Sequence, residues 1–572
     1  MNVLNQLRAA FASVTPEGGD PQAFAAAVRP ANDPKFGDYQ ANGCMGLGKS
    51  LKQNPRELAA SVREAVDLEP VAGKPEVAGP GFLNVRLHDE WIAAQLVDLL
   101  RDTDHGLAAP ETPKTVVVDF SSPNVAKPMH VGHLRSTVIG DSLARIFEAL
   151  GHKVVRDNHL ADSGSQIGMI LWGWKNHRDE AAYDADPVAE LARLYRLAQS
   201  RIKAGEAEVE EAGRAETAKL HAGDPENREL WKRFMPHCLA ALHAMYDRLG
   251  VRFDVELGES HYDSMLADVV SDLEAKGIAE ASEGAVVAFV QGMKAPFIVR
   301  KRDGAFNYGT TDLATIRYRA QTWNPDQVLY VVDTRQADHF KQLFDVARRW
   351  GYDGADLQHV AFGTILGADR RPYKTRDGDV VGLESLLDEA VSEARKIVDA
   401  NSSDLGPEDR ARVAEIVGLG AVKYADLSQN RLSDYVFDWS KMLAMNGNTA
   451  TYLQYAYARI QSIFRRGEVR PEEIRERAPA VSLAHPAERG LGLRLLRLPE
   501  TLQLAADELK PNILTDYLFD LASSYSKFFE ECPVLKADSA ERRDSRLALC
   551  DLTAQTLKFG LGLLGIDVVD RM

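Results

Sequence analysis

The segment from Thr115 to Arg156 limits the fold of this 572-residue chain more than any other. Thr115-Val116-Val117-Val118-Asp119-Phe120 is a short β-branched run that reads as a strand. Ser121, Ser122, Pro123 and Asn124 break it. Leu134, Val138, Leu143, Ile146, Phe147 and Leu150 then recur near helical spacing, which predicts a helix from about His133 to Leu150 with Gly151 just past its end. A second strand, roughly Lys153 to Arg156, follows directly. Strand, loop, helix and strand in this order make a βαβ unit of a parallel sheet. Ligands of such sheets sit beyond the C-terminal strand ends, where helix N-termini offer free N–H groups and a positive dipole end to anions. His130-Val131-Gly132-His133 stands at that helix mouth. Residues three apart share a helix face, so His130 and His133 can point at one ligand, and Gly132 lets it approach closely. A nucleoside triphosphate fits this mouth.

The tetrad HVGH resembles the HIGH signature of class I aminoacyl-tRNA synthetases. The longer string from Ser121 to Thr137, SSPNVAKPMHVGHLRST, resembles the arginyl-tRNA synthetases in particular. The similarity runs nearly end to end. It implies an α/β fold: a class I Rossmann-like catalytic domain with a parallel sheet, preceded by a small α+β domain and followed by an all-α helical bundle. The expected divisions are residues 1–110, 111–395 with a helical insertion at about 175–250, and 396–572. In the family the first touches the tRNA elbow and the last binds the anticodon.

Local patterns agree with this division. Leu4, Leu7 and Phe11 begin a helix, Lys35 to Gln40 form a turn-rich loop, Pro80 to Leu87 read as a turn and a strand, and Trp91 to Leu100 as a helix. By themselves these residues predict only a small globular module, in which Tyr39 and Gln40 are either RNA-facing or plain loop. Gln327 to Asp333 reads as a buried strand. Beyond a loop at Asn401 to Pro407, amphipathic helices are predicted over 411–427, 449–465, 491–506, 513–529 and 545–564.

A second nucleotide-binding element is expected at Phe362 to Gly367 and Arg370 to Gly378, where cations and glycines can close on a triphosphate. In the family this is the position of the KMSKS loop. Here it reads YKTRDG, without the usual second lysine. In the family a lysine just upstream of the HIGH element is thought to compensate, and Lys127 holds that position.

The resemblance implies two-step acyl transfer. The arginine carboxylate attacks the α-phosphorus of ATP, and the terminal ribose hydroxyl of tRNA then attacks the acyl carbon. Neither step needs a protein nucleophile; catalysis is alignment and stabilisation of phosphate charge. His130, His133, Lys127, Lys374 and Arg376 are the expected catalytic groups, and Pro128, His130, Gly132, His133 and Lys374 the ATP contacts. Mg²⁺ is expected with ATP, held by phosphates and water. A guanidinium is always charged and presents a planar fork, so its site needs carboxylates. Resemblance maps arginine recognition onto Asp119, Ser121, Asn124, His133, Tyr308, Asp312 and Gln336; Tyr452, Gln454, Tyr455 and Arg459, in a string similar to the family's anticodon-binding bundle, are the candidate tRNA contacts, and their aromatic spacing equally fits ordinary helix packing. The family norm is a monomer that takes tRNA(Arg), L-arginine and ATP.

Composition tests this reading. The net charge of −16 is awkward for an RNA binder, so local patches must supply the cations. Candidates are Arg459, Arg465, Arg466 and Arg470, and the run Arg489, Arg494 and Arg497. Cys44, Cys238, Cys532 and Cys550 are scattered, which argues against a structural zinc site or a disulfide framework. No stretch of about twenty apolar residues occurs, and the N-terminus lacks a signal-peptide core, so a cytoplasmic protein without a membrane span is expected. Three other readings stay open: a class I synthetase for another amino acid, a nucleotidyltransferase sharing the HxGH fold, and a non-catalytic RNA-binding relative.

Overall fold

The computed structural model describes residues 2–125, 127–371, 373, 381–401 and 405–572. Its centre is a five-stranded sheet in the spatial order Asp356–His359, Gln327–Tyr330, Thr115–Asp119, Lys153–Leu160, Val255–Gly258. All four pairings are parallel. Chain order therefore runs outward in both directions from Thr115–Asp119. The switch point lies between this strand and Gln327–Tyr330, where open α/β sheets bind ligands. The strand alternates as a pleat requires: Val116 and Val118 join the larger core, and Val117 faces the core on the opposite side.

The helix after the first strand runs Val131–Ala149. It starts two residues earlier than apolar spacing predicts, because His130 itself caps it. Gly140 lets this helix lie on the strand end; a Cβ there would fall 2.3 Å from Phe120. The second strand extends to Leu160, and the strand expected over 327–333 ends at Tyr330. Helices from Ser165–His177 to Pro225–Leu249 stand between the second and third strands of the sheet, and a small antiparallel sheet, Glu280–Ser282, Ala285–Ala288 and Phe297–Arg300, precedes Gln327–Tyr330.

The N-terminal residues form a four-stranded antiparallel sheet flanked by helices. The C-terminal residues are helical, from Pro407–Leu427 to Ala540–Leu563. One predicted helix, 491–506, is two: Pro486–Leu495 and Leu498–Asp507. Pro499 has no N–H to donate and suits only a first turn, so the chain breaks ahead of it. Apolar residues from Val3 to Ile566 join one continuous core, which packs the N-terminal module and the bundle onto one face of the central sheet. Among the described residues no helix is long and apolar enough to cross a membrane.

The interface between module and bundle corrects one expectation about RNA. Arg489 grips Asp38 with two bonds of 2.9 and 2.8 Å and Asp89 with one of 2.6 Å. Arg497 donates to the Asp38 carbonyl at 2.6 Å, and Arg494 pairs with Asp520 at 3.3 Å. This run ties the molecule together rather than forming an open basic patch. Tyr39 is fully buried and donates to Glu500 at 3.0 Å, which rules out an RNA-facing role.

Candidate active site

The loop after the first strand is held in an unusual shape. Ser121 and Ser122 both adopt positive φ, 67° and 44°, a region that side chains other than glycine enter at a cost of order 1 kcal/mol or more. Hydrogen bonds fix it. The Ser121 amide donates to Ser136 Oγ at 2.9 Å, and the Ser122 amide to Asn158 Oδ1 at 3.1 Å. Ser121 Oγ lies 2.9 Å from the Tyr246 hydroxyl and accepts from Thr137 Oγ1 at 2.9 Å. Ser121, an expected arginine contact, is thus buried and engaged by its own chain; its side chain shapes the loop. Asn124, further along, bridges to Ala161 in parallel pairing, and Pro128 is exposed at the loop's end.

The two histidines form a reciprocal cap. His130 Nδ1 accepts from the Gly132 amide at 3.1 Å, and His133 Nδ1 accepts from the His130 amide at 3.1 Å. The rings stack with centroids 3.9 Å apart. An accepting Nδ1 leaves the proton of each neutral ring on Nε2, so the pair presents two N–H donors away from the helix. Burial, His130 and Lys127 push His133 down to about 3, and burial and Lys127 lower His130 as well. Gly132 is required by this cap: a Cβ would fall 2.9 Å from His130 Cε1.

Across the switch point lies a cluster of acidic side chains. Asp312, on the helix Tyr308–Trp323, accepts from His339 Nε2 at 2.7 Å. The Tyr308 ring is 61% exposed and sits 4.9 Å from the His339 ring. Gln336 is exposed at the start of the helix Ala337–Trp350. Asp119 departs from expectation. Its carboxylate accepts from Arg319 Nη2 at 2.7 Å and from Ser122 Oγ at 2.9 Å. Arg319 also holds Asp157 at 2.8 Å, and all three side chains are buried. An internal guanidinium therefore already occupies the carboxylate expected to face the substrate. Glu259 is a further carboxyl close to Asp312. Burial and the nearby Asp312, Asp162 and Asp263 raise it to about 7, and the described residues place no cation against it. A carboxyl raised in this way favours a cationic ligand. Asp162 is structural: its oxygens accept from the Ser260 amide at 2.9 Å and hydroxyl at 2.6 Å.

The described residues of the expected second nucleotide element, and those that follow it, lie near the helix mouth. Ile365–Leu366 pairs in parallel with Tyr435–Val436, and the Tyr373 amide donates to Ile365 O at 3.0 Å. The Val131 amide donates to Val381 O and the Leu383 amide to Met129 O, both at 3.0 Å, so Val381 to Leu383 line the helix mouth. Lys374 and Arg376 lie outside the described residues.

The four expected tRNA contacts, all on the helix Ala450–Gly467, divide. Tyr455 is 39% exposed. Tyr452 is half-buried with its hydroxyl 3.2 Å from Ser526 Oγ, and Arg459 lies over the Phe529 ring at 4.1 Å. Gln454 is fully buried and donates to Asp567 O at 2.8 Å, tethering the C-terminal tail, so it cannot face RNA. Arg465 donates to Asp570 O and Arg470 pairs with Glu473, whereas Arg466 is exposed.

Sequence reasoning missed Arg319, Glu259, Tyr246 and Asn158. Each reaches the site from a distant segment and carries no local motif. His339, in the string Arg335 to His339, was visible but had no assigned partner.

Comparison with known proteins accounts for the whole chain. The family model described as tRNA synthetases class I (R), catalytic domain, matches residues 95–439. The arginyl tRNA synthetase N terminal domain matches 1–87, and the DALR anticodon binding domain 453–572. An arginine–tRNA ligase of Rhodopirellula baltica is 43% identical over 100% of both chains, and one of Escherichia coli 44% identical over 99% of this chain and 98% of its own. The solved arginyl-tRNA synthetase of Thermus thermophilus superposes with a TM-score of 0.85 at 27% identity, covering 99% of this chain and 100% of that one. That of Plasmodium falciparum gives 0.82 at 29% identity, covering 100% and 98%. With a capped histidine pair at the mouth of the signature helix, and relatives matched end to end, the chain belongs to the arginyl-tRNA synthetase family of class I aminoacyl-tRNA synthetases.

Proposed function

We infer that the chain is an arginine–tRNA ligase that activates L-arginine with ATP and passes the arginyl group to the 3′ end of tRNA(Arg). The observation that carries this reading is that the one fold holds both a neutral histidine donor pair and a carboxyl cluster of Asp312 and Glu259. The arginine guanidinium binds at that cluster, against Asp312, Glu259 and Tyr308, while Asn124 and Gln336 take the α-amino and carboxylate end. Asp119 and Ser121 act indirectly, by holding Arg319 and the loop. The arginine carboxylate attacks the α-phosphorus of ATP; a bond forms to phosphorus, the bond to the β-phosphate oxygen breaks, and pyrophosphate leaves. His130 and His133 donate N–H bonds to phosphate oxygens, which gain charge in the transition state. Lys127, with Lys374 and Arg376, supplies the positive charge. Mg²⁺ enters with ATP, bound to its phosphate oxygens. The tRNA 3′-terminal ribose hydroxyl then attacks the acyl carbon and AMP departs.

In this reading residues 1–110 contact the tRNA elbow, 111–395 carry the chemistry, and 396–572 read the anticodon region, with Tyr455 and Arg466 the surface groups best placed for RNA. The enzyme acts as a cytoplasmic monomer. The test is ATP–pyrophosphate exchange across the twenty amino acids, with and without tRNA. Exchange with arginine alone, appearing when tRNA is added, supports substrate and tRNA site together. Exchange with another amino acid overturns the substrate; none under any condition overturns the activity.

A further inference from the structure

Lys127 Nζ lies 4.6 Å from the centroid of the Tyr195 ring. Tyr195 belongs to the helix Pro187–Lys203, in the helices between the second and third strands, far from Lys127 in sequence. Its ring is half-buried and packed against the main core, so its face has a set place. The same ammonium lowers the basicity of both His130 and His133. Lys127 is therefore bounded by an aromatic face and by the histidine pair at the nucleotide mouth.

The choice of partner has a chemical consequence. A lysine ammonium is a compact charge on a flexible four-carbon stem, and left alone it samples many rotamers. A carboxylate would fix it but would also cancel the charge that a phosphate needs. An aromatic face attracts the ammonium through its quadrupole, removes water from one side, and leaves the net charge intact. The attraction is modest, so the lysine can also turn toward a phosphate oxygen when ATP arrives. We propose that Tyr195 is the positioning residue for Lys127, holding the lysine that compensates for the incomplete KMSKS-type loop. Tyr195 touches neither substrate; it acts through Lys127. This rests on the reading of Lys127 as a phosphate-directed cation.

The test uses the full-length enzyme in ATP–pyrophosphate exchange with arginine and tRNA, comparing Tyr195→Leu, Tyr195→Phe, Lys127→Ala and the double variant Lys127→Ala/Tyr195→Leu. Loss of one cation–aromatic contact predicts that Tyr195→Leu lowers kcat by roughly three- to tenfold with the KM for arginine unchanged. Tyr195→Phe keeps the ring face and stays within about twofold of wild type. The double variant is no slower than Lys127→Ala, since the ring has no function without the lysine. Wild-type rates in Tyr195→Leu overturn the proposal. So does a Tyr195→Leu effect of the same size in the Lys127→Ala background, which would mark Tyr195 as acting on something else. If Lys127→Ala itself exchanges at the wild-type rate, the phosphate role of Lys127 falls first and the proposal falls with it.

Discussion

His133 carries no charge at neutral pH, and that fixes what it can offer a phosphate. Its Nδ1 is committed to the His130 amide, so only an Nε2–H remains. Burial and two neighbouring cations or imidazoles push it to about 3. A depressed folded value means the ring stays neutral until well below the usual imidazole range. The ratio of wild-type to His133→Asn rates is therefore flat from pH 6 to pH 8, and His133→Ala lowers kcat by roughly 100-fold or more, the scale of one lost transition-state donor. Stopped or steady-state exchange at several pH values measures both. A ratio that changes tenfold per pH unit would mean the imidazole titrates there. Glu259 behaves oppositely. Raised to about 7 by burial and by Asp312, it is protonated below that value and ionised above it. The KM for arginine therefore falls as pH rises from 6 to 8, and Glu259→Gln raises that KM, flattens its pH dependence and leaves the KM for ATP within about twofold. The contrast explains what could be read from the sequence. The histidine pair is contiguous, and its glycine and helix mouth announce it. Asp119 was visible too, but its partner Arg319 is 200 positions away, so nothing local showed that its carboxylate was already taken. Glu259 has no motif; only the fold brings it to Asp312.

The signature helix Val131–Ala149 is braced as well as capped. Arg135, two residues past His133, is buried and pairs with buried Asp426 of the helix Pro407–Leu427 at 3.1 Å. It also donates to Ser433 O at 3.0 Å and lies over the rings of Tyr435 and Phe362, at 5.3 and 5.8 Å. Tyr435 pairs with Ile365, in the first part of the second nucleotide element. One guanidinium thus joins the element holding the histidines to the strand that leads into the other loop. Removing one member of a buried pair leaves the other unpaired, at about 3–5 kcal/mol. Arg135→Met is expected to lose stability on that scale, and Arg135→Met/Asp426→Leu to recover most of it, as read by denaturant unfolding. If the recovered double variant also regains full exchange activity, the bracing adds nothing beyond stability. Element types were legible where apolar periodicity was long: the signature helix, the strand pairs and the long bundle helices. Boundaries were less so, because capping and proline geometry set them. His130 moved one start and Pro499 split a helix, and neither effect shows in periodicity.

At the scale of the whole molecule, a net charge of −16 coexists with arginines that are spent on internal joints. Arg489 and Arg497 join the N-terminal sheet to the bundle, and Tyr39 closes the joint on Glu500. That interface was not legible in the sequence, since a run of arginines on a helix reads equally well as an RNA-facing stripe. It carries one titratable weak point. Glu500 is buried, and the loss of water raises it to about 7 despite Arg497 and the Tyr39 hydroxyl. A folded value above the unfolded one means the folded state keeps its proton longer. Stability from this group is therefore complete below about pH 4.5 and is lost as pH rises through 7. The shift sets a ceiling of about 3 kcal/mol on the loss. Glu500→Gln keeps the shape and an acceptor for Tyr39 but cannot ionise. The two proteins should melt together near pH 5, and the variant should melt several degrees higher at pH 8. The comparison cancels other groups that titrate in the same window, Glu259 among them, because both proteins carry them. Melting curves displaced by the same amount at both pH values would show that Glu500 does not ionise in the joint, and the interface would then hold the N-terminal module equally firmly on either side of neutrality.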